Sequence, residues 1–209
     1  MIPVLHVVTK DLIIARPAFV DRARGLMQAI GNRGALHLRS RSVATARLYE
    51  IACALRPVQE RTGCWVVVND RVDVALASRA AGAQLTSRSL GIEDARRLSD
   101  TLPLGASVHA VEDALRAARD GADWVVVGHV YASGSHAGEP GRGVELVRHV
   151  AAAVHVPCIA IGGVRPEHVP ELRAAGAYGV AAISGIWAAR DAERAASDYL
   201  SSYERDHGS

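Results

Sequence analysis

Residues 64–86 read CWVVVNDRVDVALASRAAGAQLT. The run CWVVVN is short, apolar and β-branched. VDVALASRAAG, residues 72–82, spaces its apolar side chains three and four apart, and AQLT at 83–86 is again a short apolar run. Runs of the first kind suit strands covered on both faces, and the second spacing suits a helix with one buried face. The segment predicts a strand–helix–strand unit.

The same alternation runs through the chain. VLHVVT (4–9), ALHLRS (35–40), LGASV (104–108), WVVVGHV (124–130), PCIAIG (157–162) and GVAAIS (179–184) bring the strand-like runs to eight. PAFVDRARGLMQAI (17–30), VATARLYEIACALRPVQER (43–61) and AVEDALRAARDG (110–121) carry the helical spacing, and Gly82, Gly121 and Gly176 read as helix ends. Eight βα units in 209 residues predict an α/β fold, a closed eight-stranded parallel (β/α)8 TIM barrel spanning 1–209 as a single domain. A doubly wound sheet is the alternative, but no GxGxxG follows the first strand. The polar tail SSYERDHGS is expected to fray.

Bulk properties exclude several function classes. Twenty-four Lys plus Arg against 22 Asp plus Glu leave a net charge of +2, and the basic residues are spread rather than gathered into a patch, so no nucleic acid partner is expected. Cys53, Cys64 and Cys158 show neither CxxC spacing nor histidines at metal intervals, so they predict no disulfide framework and no zinc site. They read as small buried residues in a reducing compartment. MIPVLHVVTKD enters a strand without a basic segment ahead of a long apolar run, and nothing approaches the ~18 apolar residues of a membrane span. The expectation is a cytoplasmic protein with no membrane partner.

In a barrel of this kind, polar residues at strand C-termini face the mouth. Those positions are Thr9, Arg39, Arg41, Asn69, Arg71, Thr86, Ser107, His109, His129, Gly162, Gly163, Ser184 and Gly185. IAIGGV and VAAISGIW put small residues after the last two strands, where backbone N–H groups can approach an anion, so Gly162, Gly163, Ser184 and Gly185 predict a phosphate cradle. The alternative makes the glycines a tight turn before a helix at Pro166, with Ser184 capping the last helix. In HLRSR, alternation puts His37, Arg39 and Arg41 on one side, and guanidinium groups there suit carboxylate or phosphate oxygens unless they pair with Asp70, Asp73 or Glu50. Asp70 reads as a helix N-cap, with Asp73 in the first turn. GHVYASGSHAGEPGRG (128–143) sets His129 at a strand end before a glycine-rich loop that reads equally as a mobile flap or a surface excursion. His136 reads as solvent-facing. Ordinary hydrogen bonding is the expected state of His6, His149, His155, His168 and His207.

NDRVDVALASRAAGAQL, GASVHAVEDA, ADWVVVGHVYASGS, VPCIAIGGV and GAYGVAAISGI resemble the thiamine phosphate synthase superfamily over nearly the whole chain. The synthases join a pyrimidine diphosphate to a thiazole phosphate using magnesium. Their pattern has Gln-x-Arg-x-Lys on strand two, an acidic stretch after strand four and Thr-x-Thr-Lys after strand six. Here His37 and Arg41 stand in the first, Thr86 to Ser89 in the second with Ser89 at the metal-binding aspartate, and Ser133 to His136 in the third. HLRSR, Gln84-Leu85, Ser107 to His109, GHVY and GRGV instead resemble the TenI thiazole tautomerase branch. That resemblance implies an isomerase of vitamin B1 biosynthesis that aromatises a carboxythiazole ethyl phosphate tautomer, with His129 as the catalytic proton shuttle.

It further implies phosphate held by Gly162, Gly163, Ser184 and Gly185, and the carboxylate held, or the mouth organised, by Arg39, Arg41, Asn69, Ser107 or His109, with no cofactor or metal. The partner is then a small thiazole phosphate carboxylate, and helix-face alanines fit a homo-oligomer. The alternatives are a thiamine phosphate synthase and a catalytically silent regulatory member.

Overall fold

The structure, a computed structural model, describes residues 1–134 and 138–205. Eight strands close into a parallel barrel: β1 (Leu5–Val8), β2 (Gly34–Leu38), β3 (Trp65–Asn69), β4 (Gly82–Leu85), β5 (Leu104–Val108), β6 (Trp124–Gly128), β7 (Cys158–Ile161) and β8 (Gly179–Ala182). Each pairs with the next, and β8 returns to β1 through Leu5↔Val180 and His6↔Ala181. All eight expected strands are present; six lose their C-terminal residues, whereas β3 keeps Asn69 and β5 spans all of LGASV. The ring has no free edge, so the doubly wound alternative is excluded.

Around it lie α1 (Asp11–Ile14), α2 (Phe19–Ile30), α3 (Thr45–Thr62), α4 (Val72–Ser78), α5 (Ile92–Leu98), α6 (Val111–Arg119), α7 (Val144–Ala153), α8 (Val169–Ala174), α9 (Ser184–Trp187) and α10 (Ala192–Glu204). Leu26, Met27, Leu48, Leu55, Val147 and Leu172, all buried, turn the helices' apolar faces onto the outside of the sheet. A smaller cluster fills the barrel itself: Val8, Ala35, Val67, Trp124, Val126, Ile159 and Ala181. The two layers explain why the strands are apolar on both faces. Trp124 lies across the barrel floor, and a Cβ at Gly105 would come within 2.1 Å of its ring, so β5 is glycine there because the indole occupies the space.

Three local readings are corrected. Gly121 and Gly176, with φ of 98° and 94°, do end helices, but α4 ends at Arg79 in the left-handed region and Gly82 begins β4. The N-cap of α4 is Arg71 rather than Asp70. SSYE of the expected frayed tail forms the last turn of α10, because Tyr199, Leu200 and Ser202 are buried; residues 206–209, His207 among them, lie outside the described residues. Among the described residues no helix is long and apolar enough to cross a membrane. All three cysteines are free, Cys64 and Cys158 buried and Cys53 half-buried.

Candidate active site

Alternation along the strands turns His6 and Val8, His37, Asn69, Gln84, Ser107, Val126 and Gly128 toward one cavity at the C-terminal end of the barrel. Its volume is about 760 Å³, and its rim adds Lys10, Arg39, Thr86, His109, Tyr131, Arg165 and His168. Of the residues expected at the mouth, Arg39, Asn69, Ser107, His109, His129, Gly162, Gly163, Ser184 and Gly185 all line it. Arg41 does not. β2 ends at Leu38, so strand alternation no longer applies at 41, and the exposed Arg41 gives its backbone N–H to Asp11 Oδ1 at 2.9 Å. Asp11 also takes the Ser40 hydroxyl and, at 2.8 Å, the Ser42 hydroxyl. These bonds, Ser40's foremost, hold its carboxyl well below the usual range and fix the loop after β2.

The floor is a closed polar network. Trp124 Nε1 donates to Gln84 Oε1 at 2.8 Å, and Gln84 Nε2 donates to Ser107 Oγ at 3.0 Å. Across the barrel, His6 Nε2 lies 3.0 Å from the Pro3 carbonyl oxygen, His6 Nδ1 lies 2.7 Å from His37 Nε2, and His37 Nδ1 lies 3.3 Å from Asn69 Oδ1. The expected hydrogen bonding of His6 is thus present, but inside the barrel, a face that VLHVVT does not reveal. Burial lowers His6 to about 4 and, with His6 beside it, carries His37 well below its ordinary value, so both rings are neutral near pH 7.

At the rim, Arg39 is half-buried and makes no hydrogen bond or salt bridge through its guanidinium among the described residues. Burial first, and then Arg41, lower its pKa. The acids expected as its partners are engaged elsewhere: Glu50 with Arg47, Asp73 with Arg71, and Asp70 with Thr86. His129 is buried against the cavity with Nε2 3.1 Å from the Pro140 carbonyl oxygen and 4.0 Å from Glu139. Arg142 N donates to the His129 carbonyl (3.0 Å) and Gly143 N to that of Val130 (2.9 Å), so the returning limb of the 131–143 loop is bonded along the end of β6. His136 lies outside the described residues.

The glycines of β7 have a second reason to be small. A Cβ on Gly162 (φ 104°) would sit 2.4 Å from His129 Cβ, and one on Gly163 (φ 64°) 2.4 Å from the Ala132 carbonyl oxygen, because the 129–132 segment crosses directly over them. Pro166 does open a helical turn, as the alternative reading had it. Ser184 is instead the first residue of α9 with no side-chain cap, and the last helix is capped by Asp191, which accepts from Arg194 N at 2.9 Å. Sequence reasoning missed Lys10, Tyr131 and His168 as rim residues. Tyr131 stacks on His168 with centroids 4.1 Å apart and donates to Glu171 at 3.0 Å. The tyrosine was legible as the aromatic after His129, whereas a histidine on a helix gave no signal.

A closed parallel barrel with polar side chains gathered at the C-terminal ends of its strands has the architecture of the (β/α)8 barrels, whose sites lie at that face. The chain belongs to the TMP-TENI family, whose model, described as thiamine monophosphate synthase, matches residues 5–186. It is 38% identical over 195 residues (92% of this chain, 91% of the relative) to a thiamine-phosphate synthase of Methanoculleus marisnigri. It is 36% identical to one of Pyrococcus horikoshii over 79% of this chain and 80% of the relative. A solved thiamine phosphate pyrophosphorylase from Pyrococcus furiosus superposes with a TM-score of 0.86 at 32% identity, covering 98% of this chain and 96% of that one.

These relatives overturn the isomerase expectation. They are named as synthases, which are transferases, so the thiazole tautomerase reading is withdrawn in favour of its alternative. With it goes the assignment of His129 as the proton shuttle of an aromatisation.

Proposed function

We propose that the chain is a thiamine-phosphate synthase, a transferase that joins a pyrimidine carried on a diphosphate to a thiazole phosphate. The similarity of the synthases over nine-tenths of the chain carries this reading, and the cavity is consistent with it. At about 760 Å³ it lies within the ~300–1,000 Å³ of small-molecule sites, with room for two heterocycles. Its rim offers two arcs suited to anions. Lys10 and Arg39 follow β1 and β2, and Gly162, Gly163, Ser184 and Gly185 follow β7 and β8. Ser184 and Gly185 open α9, where the first N–H groups have no acceptor within the helix. The small-residue arc takes the thiazole phosphate and the basic arc the diphosphate.

The step is a substitution. The carbon–oxygen bond to the diphosphate breaks with its electron pair leaving on oxygen, and a thiazole ring lone pair forms the new bond to that carbon. No proton has to be removed, so His129 needs no role as a base and serves as cavity wall. The chain's contribution is to hold the two rings in contact and to meet the charge that grows on the leaving diphosphate. Arg39 suits that second task, being half-buried with no carboxylate hydrogen-bonded or ion-paired to its guanidinium among the described residues.

The magnesium associated with the family does not fit the residues present. Asp70 accepts from Thr86 N (3.0 Å) and Thr86 Oγ1 (2.7 Å), Ser89 gives its hydroxyl to the Thr86 carbonyl (2.9 Å), and Arg88 stands between them in sequence. Among the described residues no group of three histidine, cysteine, aspartate or glutamate side chains is placed to hold a metal ion. A hard divalent cation wants several oxygen ligands, and this set offers one engaged carboxylate. No step is therefore routed through a metal.

The test is to incubate the purified chain with both substrates, with magnesium and with a chelator, and to look for thiamine phosphate by mass spectrometry. Product supports the proposal. No product in either condition refutes it and leaves the catalytically silent member, a reading the missing metal ligands favour. Binding of thiazole phosphate without turnover then identifies that one.

A further inference from the structure

We infer that the chain meets the charge of the diphosphate with arginine where a divalent cation would otherwise stand: Arg88, carried on the turn after β4, joins Arg39 and Arg41 of the loop after β2 in one guanidinium cluster at the mouth. The inference rests on the reading of this rim as the diphosphate arc, and it makes the site independent of metal.

The turn that carries Arg88 is built from the groups that could have served a cation. Asp70, in the left-handed region at φ 62°, turns its carboxylate onto Thr86 and accepts from both the backbone N–H (3.0 Å) and the hydroxyl (2.7 Å). Ser89 closes the turn from the other side. Its hydroxyl donates to the Thr86 carbonyl at 2.9 Å, its Oγ accepts from Thr86 N at 3.0 Å, and its own N donates to the same carbonyl at 3.1 Å. Arg88 N lies 3.4 Å from Thr86 Oγ1, between these two braces. The carboxylate and the hydroxyl therefore hold an arginine in place instead of coordinating an ion.

The guanidiniums are left for a ligand. Neither Arg39, Arg41 nor Arg88 makes a hydrogen bond or salt bridge through its guanidinium among the described residues. Burial lowers the pKa of Arg39, and Arg41 and Arg88 lower it further against the opposing pull of Asp70 and Asp11, so both neighbours lie within electrostatic reach of it. Those two acids are bonded to Thr86 and to the loop after β2, and Lys10 adds a further cation on the rim. Like charges gathered without partners repel one another, and a polyanion lying among them relieves that repulsion. Guanidinium suits such a ligand, being planar, permanently charged and able to give two parallel N–H bonds to one phosphate. Magnesium, by contrast, needs near-octahedral oxygen ligands with one or two carboxylates among them, which this turn withholds. Added magnesium then competes with the arginines for the diphosphate oxygens.

Calorimetry of the purified chain with inorganic pyrophosphate, at pH 7 and low salt, tests this without either ring substrate. Pyrophosphate is expected to bind in the presence of a chelator and to bind more weakly when millimolar magnesium replaces it. Arg88→Gln is expected to weaken binding in chelator by about fivefold, the net worth of one hydrogen bond, and Arg88→Lys by less. Arg190→Gln, which removes an exposed arginine outside the cavity, is expected to leave it unchanged. Melting curves show that the variants are folded, and the metal comparison on wild type stands whether or not they are. No binding, or binding only with magnesium, overturns the inference. So does an Arg88→Gln affinity equal to wild type, or a loss in Arg190→Gln as large as in Arg88→Gln. Turnover is a separate reading. Pyrophosphate bound as expected with no thiamine phosphate formed strikes the proposed function and leaves the cluster standing, whereas thiamine phosphate formed only with magnesium strikes the cluster and leaves the function standing.

Discussion

Replacing Gly162 with alanine tests how the end of β7 holds the wall of the cavity. The residue sits at φ 104°, which an alanine adopts at a cost of about 1–3 kcal/mol. The new methyl would lie 2.4 Å from His129 Cβ, 2.6 Å from His129 Cα and 3.0 Å from Val130 N. Relief needs a backbone shift of about 1 Å, and that backbone is bonded on both sides of the contact: Val130 N donates to the Ile161 carbonyl at 2.8 Å and Tyr131 N to the Gly162 carbonyl at 2.9 Å. Overpacking of this sort costs about 1–3 kcal/mol more. The sum, about 2–6 kcal/mol, is a large share of the ~5–15 kcal/mol of a folded domain. Urea unfolding at pH 7, with Gly134→Ala as control because nothing described lies within 4 Å of its added Cβ, measures the difference. A loss under about 1 kcal/mol would refute the claim that the 129–132 segment is wedged against Gly162.

Three further outcomes follow from the same geometry. In the unfolded chain His6 and His37 take up protons near pH ~6.5, whereas folded His6 does so only at about 4 and His37 well below its ordinary value. The unfolded state therefore binds more protons in between, so stability is full above pH ~6.5 and falls as pH drops, by ~1.4 kcal/mol per unit for His6 with His37 adding to it. Urea midpoints unchanged between pH 7 and 5 would contradict this burial. Trp124→Phe leaves Gln84 Oε1 without its donor and opens space on the floor, an expected loss of about 2–3 kcal/mol in the same assay; a loss below ~0.5 kcal/mol would show that the indole N–H is not engaged. Arg39→Gln is expected to weaken binding of inorganic pyrophosphate about tenfold at low salt in calorimetry, and unchanged affinity would remove Arg39 from the diphosphate arc.

The barrel was legible because its strands are covered on both faces, so runs such as WVVVG and CIAI are continuously apolar and stand out between amphipathic helices. Most of the rim was legible for a related reason, since polar residues ending such strands have only the mouth to enter. The misreadings lie where local pattern and tertiary contact part. Arg41 lies three residues past the end of β2, where the loop follows Asp11 rather than the strand. Asp70 takes a left-handed conformation (φ 62°) to reach Thr86, which no local spacing announces. His6 shares its interior network with His37 and Asn69, from strands 31 and 63 residues further on, so only the barrel closure brings the three together. The tautomerase reading leaned on a few short motifs, from HLRSR at β2 to GRGV after β6, while similarity spread over nine-tenths of the chain points to synthases.

The most direct test of the transferase account is ³¹P NMR of the purified chain mixed with both phosphorylated substrates. The account predicts that inorganic diphosphate and thiamine phosphate resonances grow together, one for one, as the two substrates fade. Substrate resonances that broaden on binding yet never diminish would contradict it.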